Sequence, residues 1–374
     1  MNILFVFGTR PEAIKLAPLI IMLKTDYSKV KTTVCITAQH RQLLDDVLTF
    51  FTIEVDYDLN IMQPDQSLSN LTARMIIALD KVIIDEKPDL IIVQGDTTSA
   101  MVGALTGFYH KIKVAHIEAG LRSYNKTQPY PEEINRRIIS QISDFHFAPT
   151  IMAKEALEVE NITGYIQYTG NTVIDALLLG IKNVNRNKPF YHEQFPFLSN
   201  DKRFVLTTVH RRENFGLPLE NICNAIRTIK ERYSDVNFVI PVHPNPNVKA
   251  IIDRNFHKAE GVYLIDPLPY DSLIWLMQHS FFVLTDSGGI QEEAPSLGKP
   301  VIVMRNVTER MEGVIAGNAM LSGTKITDLI RCMEKLLMSE SEYRKMTKIL
   351  NPYGDGQSSN RIIKSLLREL NYEI

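Results

Sequence analysis

The residues best suited to chemistry fall where apolar runs of the chain end. Gly8-Thr9-Arg10-Pro11-Glu12-Ala13-Ile14-Lys15 closes the first run and brings two cations, Arg10 and Lys15, to its far side. Proline suits a first helical position, so the segment also reads as an ordinary strand-to-helix turn with two solvated cations. It lacks the Gly-x-Gly-x-x-Gly spacing of a dinucleotide site. Gln94-Gly95-Asp96-Thr97-Thr98 follows a later run, and there Asp96 suits capping a helix as well as chemistry. In His116-Ile117-Glu118-Ala119-Gly120-Leu121-Arg122, Glu118 stands directly beyond an apolar strand and ahead of a glycine, which makes it the better catalytic candidate. Glu132 lies in Pro131-Glu132-Glu133-Ile134-Asn135-Arg136-Arg137, where acids in a first helical turn also simply favour the macrodipole. Brought together, Asp96, Glu118 and Glu132 would repel one another, raising at least one pKa and poising it for acid or base work.

The second half offers groups for an anion. Thr208-Val209-His210-Arg211-Arg212-Glu213-Asn214 joins an imidazole to two guanidinium groups, and His243 sits in the proline-stiffened Val242-His243-Pro244-Asn245-Pro246. In Thr285-Asp286-Ser287-Gly288-Gly289-Ile290-Gln291-Glu292-Glu293-Ala294 an apolar strand delivers Ser-Gly-Gly to a helix start. Free amides and missing side chains there suit a diphosphate. The plainer reading is a glycine turn capped by Ser287. Glu292 and Glu293 occupy consecutive helical positions, so only one of them should face a ligand.

These clusters need a scaffold that gathers strand ends. Asn2-Phe7, Thr32-Thr37, Leu90-Gln94 and Lys113-Ile117 are short apolar, β-branched runs separated by amphipathic stretches, the pattern of parallel strands with helical crossovers. The pattern restarts with Arg203-Val209, Val236-Pro241, Val262-Ile265, Phe281-Thr285 and Pro300-Met304. The expected fold class is therefore α/β, with two Rossmann-like doubly wound domains facing a cleft. Residues 1–180 and 181–355 are the expected domains, with an amphipathic helix in 356–374 packing back on the first. Ile181 to Asp201, rich in asparagine and holding Pro189 and Pro196, shows neither periodicity and reads as the linker. In open sheets of this kind ligands collect at the carboxyl ends of the strands, where every cluster above is expected.

The bulk properties exclude several classes. At 374 residues the chain exceeds one ordinary core, and 45% hydrophobic with 22% charged residues is usual for a globular protein. A formal charge of -2 gives no general attraction to nucleic acid or an anionic membrane, so any anion site must be local. Cys35, Cys223 and Cys332 are scattered, without metal-ligand spacing, as reduced thiols of a cytoplasmic protein would be. The apolar run at the N-terminus has no basic leader and ends at Gly8, too short for a signal or a membrane span.

Taken in order, Gly8-Thr9-Arg10-Pro11-Glu12, Gln94-Gly95-Asp96-Thr97, His116 to Arg122, Pro131-Glu132-Glu133-x-Asn135-Arg136, His210 to Asn214, His243-Pro244-Asn245-Pro246 and Asp286 to Pro295 resemble the non-hydrolysing UDP-N-acetylglucosamine 2-epimerases through nearly the whole chain. The resemblance implies the two-domain architecture of GT-B glycosyltransferases, a homodimer, and interconversion of UDP-N-acetylglucosamine with UDP-N-acetylmannosamine. It implies no metal and no cofactor. Carried over by motif, Asp96, Glu118 and Glu132 would handle protons. Arg10, Lys15, Arg136 and His210 would hold or stabilise the diphosphate and its surroundings, with His210 counted in the catalytic set. Ser287, Gly288 and Gly289 would meet phosphate, Glu293 the ribose hydroxyls, and His243 would lie in the nucleotide pocket. Gln39, His40, Gln42, Arg74, Arg211 and Glu213 resemble a second UDP-N-acetylglucosamine site that allosterically activates some bacterial members. The chain departs from the family pattern at Met311, commonly proline, and in the amide-bearing Gly317-Asn318-Ala319.

Overall fold

The computed structural model describes residues 1–37, 41–63, 66–199 and 202–372. The chain divides into two compact units, Met1–Leu179 with Gly354–Ile374, and Gly180–Tyr353. Each unit is built on one sheet. In the first, β1 (Asn2–Phe7), β2 (Lys31–Ile36), β3 (Tyr57–Asp58), β4 (Leu90–Gln94), β5 (Lys113–Ile117), β6 (Phe145–Ala148) and β7 (Tyr165–Tyr168) lie in the order β3-β2-β1-β4-β5-β6-β7, with every pairing parallel. In the second, β8 (Arg203–Thr208), β9 (Val236–Pro241), β10 (Val262–Ile265), β11 (Phe282–Thr285), β12 (Val301–Val303) and β13 (Ala319–Leu321) lie in the parallel order β10-β9-β8-β11-β12-β13. Both sheets are doubly wound, and both reverse direction beside their first strand, between β1 and β4 and between β8 and β11. The fold is α/β with two Rossmann-like sheets.

Apolar strand sequences explain the placement. Leu4, Phe5, Val6, Ile91, Ile92 and Val93 are fully buried, because helices cover both faces of the first sheet. Each such side chain contributes about 2 kcal/mol. Helix Thr98–Tyr109 lies close to that sheet through two glycines. A Cβ on Gly103 would meet Val93 at 3.0 Å and Val6 at 3.1 Å, and one on Gly107 would meet Ile91 at 2.9 Å. Val205, Phe238, Ile240, Phe282 and Leu284 fill the matching core of the second unit, against Ile222, Ile226, Leu329 and Met333.

The stretch expected as a linker is helical. Thr172–Arg186 and Lys188–Gln194 form helices and Pro196–Ser199 a single 3-10 turn. Asn183 and Asn185 flank buried Val184 and are only partly exposed, while Pro189 occupies the first turn of the second helix, where proline is favoured, and Tyr191 and Phe195 are buried. The C-terminal helix Ser358–Glu369 belongs to the first unit, where buried Asp175 accepts hydrogen bonds from the amides of Ser358 (3.3 Å) and Ser359 (2.8 Å) at its start. Among the described residues no helix is long and apolar enough to cross a membrane.

Candidate active site

In the first unit the loops after β1, β4 and β5 meet at the carboxyl edge of the sheet, beside the point where strand order reverses. Glu118 follows β5 with φ 65, a left-handed backbone that costs a β-carbon-bearing residue energy and persists only where surroundings enforce it. Its side chain is nearly buried; Lys15 Nζ donates to Oε2 at 2.5 Å, and Gln94 Nε2 donates to the same oxygen. The cation expected beside a diphosphate is thus engaged with the carboxylate expected to move protons.

Asp96 is not the helix cap. That position belongs to Thr97, whose hydroxyl accepts from Ala100 N at 3.0 Å, which leaves the Asp96 carboxylate to pair with Arg136. Asn135 Nδ2 donates to the Asp96 carbonyl at 2.9 Å, so the helix Glu132–Ile142 grips this residue through backbone and side chain. Adjacent acids on that helix divide their roles. Glu133 is fully buried and accepts from Ser123 N at 2.9 Å, Tyr124 N at 3.2 Å and Arg137 Nε at 3.0 Å, tying the preceding loop to the helix. Glu132 keeps Oε2 buried without a hydrogen-bond partner, an unsatisfied acceptor of the kind a substrate group can complete. Arg10 opens the helix Arg10–Asp26.

Two buried groups of this edge carry no role in the sequence reading. Glu12 accepts from the amides of Gly8 (3.1 Å) and Thr9 (2.8 Å) and from the Thr97 hydroxyl (2.6 Å). Burial pushes its carboxyl up to about 7 despite those bonds. His116, fully buried on β5, donates from Nε2 to the Gly95 carbonyl at 2.7 Å, and burial presses its pKa down to about 3, keeping the ring neutral.

In the second unit the loops after β8, β9 and β11 hold the expected residues. Asp286 is fully buried at the end of β11 and accepts from His210 N at 3.0 Å, Arg211 N at 2.9 Å and Asn214 Nδ2 at 2.9 Å. Burial would raise its pKa, but His210 and the two amides hold it below the ordinary carboxylate value. His210 Nδ1 stands 3.1 Å from the same carboxylate, and its ring lies 6.1 Å from that of His243. His243 Nδ1 accepts from Asn245 N at 3.2 Å, and burial lowers the pKa of its ring. Ser287 occupies the cap position of the helix Gly288–Glu293 but makes no side-chain capping bond. Neither Gly288 nor Gly289 has a positive φ, so no turn demands glycine there; a Cβ on Gly289 would meet nothing within 4 Å, and its absence keeps space open.

Glu292 pairs with Arg310 at 2.8 Å, whereas Glu293 accepts from the Tyr270 hydroxyl at 3.0 Å. Arg211 pairs with Glu309 at 3.1 Å and Glu213 with Arg305 at 2.6 Å; Arg305 also reaches Glu309 at 2.7 Å. Burial opposes ionisation of Glu309, but Arg310, Arg305 and Arg211 draw its pKa down to about 2. Arg74, on the helix Leu68–Glu86, keeps Nε and Nη2 buried without hydrogen-bond partners. Gln39 and His40, and the side chain of Gln42, lie outside the described residues. Met311 starts the helix Met311–Ala316 where proline was the expected type, and Asn318 is buried with both amide atoms unpartnered.

The first unit therefore brings Asp96 to Arg136 and Glu118 to Lys15, and the second brings His210, His243 and Asp286 together. Gln94, Asn135, Glu12 and Asp286 complete these arrangements without having been assigned from sequence. The available signal was position alone, since each lies within a residue or a helical turn of an assigned group.

Known proteins resemble the chain in sequence and fold. The family model described as UDP-N-acetylglucosamine 2-epimerase matches residues 23–367. The UDP-N-acetylglucosamine 2-epimerase of Escherichia coli K12 is 47% identical over 370 residues, covering 98% of each chain. The crystal structure of the Neisseria meningitidis UDP-GlcNAc 2-epimerase bound to UDP-GlcNAc is 47% identical, with a TM-score of 0.92 over 98% of this chain and 100% of that one. The Methanocaldococcus jannaschii UDP-GlcNAc 2-epimerase, solved in complex with UDP-GlcNAc and UDP, is 34% identical with a TM-score of 0.82, covering 98% and 100%. With the profile, the sequence and the fold all matching along nearly its full length, the chain belongs to the UDP-N-acetylglucosamine 2-epimerase family.

Proposed function

We propose that this protein inverts carbon 2 of UDP-N-acetylglucosamine, giving UDP-N-acetylmannosamine reversibly and without net hydrolysis. The observation that carries the reading is Glu118: a carboxylate on a left-handed backbone at a strand end, held by Lys15 and Gln94. Such a group is fixed for proton transfer at the edge where open sheets bind ligands.

The chemistry accounts for the residue types. The hydrogen on C2 lies beside an acetamido group, not a carbonyl, and is a poor acid. When the anomeric C1–O bond breaks, its electron pair leaves with UDP and positive charge spreads over C1 and the ring oxygen. The C2 proton then becomes acidic, a carboxylate takes it, and the C–H electrons form the C1–C2 double bond of 2-acetamidoglucal. Protonation of C2 on the opposite face and return of UDP to C1 complete the inversion. Two faces need two proton carriers, drawn from Asp96, Glu118 and Glu132. Arg10, Lys15, Arg136 and His210 stabilise the charge that develops on the departing diphosphate. Ser287, Gly288 and Gly289 receive phosphate, Glu293 the ribose, and His243 the nucleotide.

The first unit thus handles protons and the second holds UDP. The same reading takes in a second copy of the chain as partner, a cytoplasmic setting, and UDP-N-acetylglucosamine as an activator at a site that includes Arg74, Arg211 and Glu213. The reading gives the cysteines no part: burial pushes the thiols of Cys35 and Cys223 up to about 12 and raises that of Cys332. Proton NMR of the purified protein with UDP-N-acetylglucosamine in deuterated water tests the reaction. The epimer should appear with deuterium at C2 in both sugar nucleotides and only a trace of free UDP. An epimer that keeps its C2 hydrogen would refute the route, and stoichiometric free N-acetylmannosamine would show a hydrolysing enzyme instead.

A further inference from the structure

Glu12 is a buried carboxylate that the reaction above does not use. It sits in the first turn of the helix Arg10–Asp26, 1% exposed, and its partners come from two loops. On one side Oε2 accepts from the amides of Gly8 and Thr9, the last residues before Arg10. On the other Oε1 accepts from the Thr97 hydroxyl, next to Asp96. Thr97 is held twice, since its oxygen also accepts from Ala100 N as the cap of the helix Thr98–Tyr109. One side chain therefore fixes the loop after β1 to the loop after β4 at the reversal of strand order. The loops carry Arg10 and Asp96, which the proposed reaction places at the diphosphate and at C2.

We infer that Glu12 is a positioning residue of the epimerase reaction, setting the place of Asp96 relative to Arg10 through its bond to Thr97. The inference rests on the function proposed above and goes beyond it, since no proton of the reaction passes through Glu12. The link needs an acceptor facing the two amides and a polar atom facing Thr97, not a charge. Glutamine supplies both: its carbonyl oxygen accepts from Gly8 and Thr9, and its amide donates to the Thr97 oxygen. Alanine supplies neither. A displacement of about 1 Å at a reacting group costs up to about a hundredfold in rate.

The test compares Glu12→Ala, Glu12→Gln, Thr97→Val and Thr97→Ser in the full chain, by steady-state kinetics and by amide hydrogen exchange of residues 94–99. In Glu12→Ala and Thr97→Val, kcat should fall about ten- to a hundredfold with KM within about threefold of wild type, because Ser287, Gly288, Gly289, Glu293 and His243 hold the nucleotide in the ground state and Arg10 acts on the charge that develops as the diphosphate departs. Glu12→Gln and Thr97→Ser should recover most of that kcat. Residues 94–99 should exchange faster in the first pair and as in wild type in the second. Thr97→Val breaks the link from its other end, so an unfolded Glu12→Ala would not remove the test. A folded Glu12→Ala with wild-type kcat would overturn the inference, as would a Glu12→Gln as slow as the alanine variant. If wild type itself fails to epimerise, the proposed reaction falls by that control alone, and the exchange of residues 94–99 still decides whether Glu12 holds the loop.

Discussion

Replacing Glu12 with glutamine removes one titrating proton from the interior of the first unit and almost no volume. The Glu12 carboxyl titrates at about 7 in the folded protein because it is buried, against 4.5 for an ordinary glutamate. The folded state thus binds this proton more tightly than the unfolded chain does, and stability falls wherever the folded state must release it. The contribution is fully present below pH 4.5 and is lost as pH rises through 7; the difference between the two values amounts to about 3 kcal/mol. His116 acts in the opposite sense. Its pKa, pressed from 6.5 to about 3, gives stability that is present above pH 6.5 and is lost as pH falls towards 3. The two overlap in wild type, so the informative quantity is variant minus wild type, in which His116 cancels. Trp275 is the only tryptophan and lies in the second unit, so its fluorescence follows the wrong half. Hydrogen exchange of the β1 and β4 amides in mild denaturant follows the right one. Relative to wild type, Glu12→Gln should gain about 3 kcal/mol between pH 4.5 and 8.5. Parallel profiles across that range would mean that Glu12 is solvated or paired with a cation, and would refute the burial argument.

What could be read from the sequence follows from how sheets are buried. β1, β4, β5, β8, β9 and β11 are covered on both faces, so they spell nearly continuous apolar runs, and their ends locate the polar clusters. β6 hides because it is four residues long with His146 in its middle; the ring is buried, donates from Nε2 to the Thr163 carbonyl at 3.2 Å and keeps Nδ1 without a partner. β3, Tyr57–Asp58, is too short to have a period. The helical turns from 181 to 194 escaped because their asparagines resemble a loop, while the deciding feature is the burial of Val184 and Tyr191. The site divides the same way. Groups directly after a strand were visible, since topology alone puts them at the ligand edge. Glu12 drew no role from its place in the first motif, and its contact with Thr97, 85 residues away, is visible only in the folded chain. Asp286 likewise acquires its role from His210, Arg211 and Asn214, 72 to 76 residues earlier.

Glu118→Gln should leave a folded protein and lower kcat about a thousandfold, the usual worth of a positioned proton carrier, measured by the same NMR assay; near-normal turnover would remove Glu118 from the catalytic set. Gly289→Ala, whose Cβ meets nothing within 4 Å, should melt as wild type yet bind UDP about tenfold more weakly by calorimetry, a loss of about 1.4 kcal/mol. Asp286 separates a scaffolding carboxylate from a merely charged one. Its Oδ2 accepts from His210 N, Arg211 N and Asn214 Nδ2, so Asp286→Ala leaves the two amides without a partner and Asn214 Nδ2 with the Met304 carbonyl alone, at a cost on the order of 3 kcal/mol. Asp286→Asn keeps an oxygen facing all three and should cost much less. Because the native pKa lies below 3.8, the carboxylate's contribution is present above that value and is lost as pH falls through the lower folded-state value. Trp275 fluorescence reports the right unit here: wild type should lose stability in acid, Asp286→Ala should start lower and lose less, and equal stability of alanine variant and wild type at pH 7 would show that the His210 loop holds its shape without Asp286.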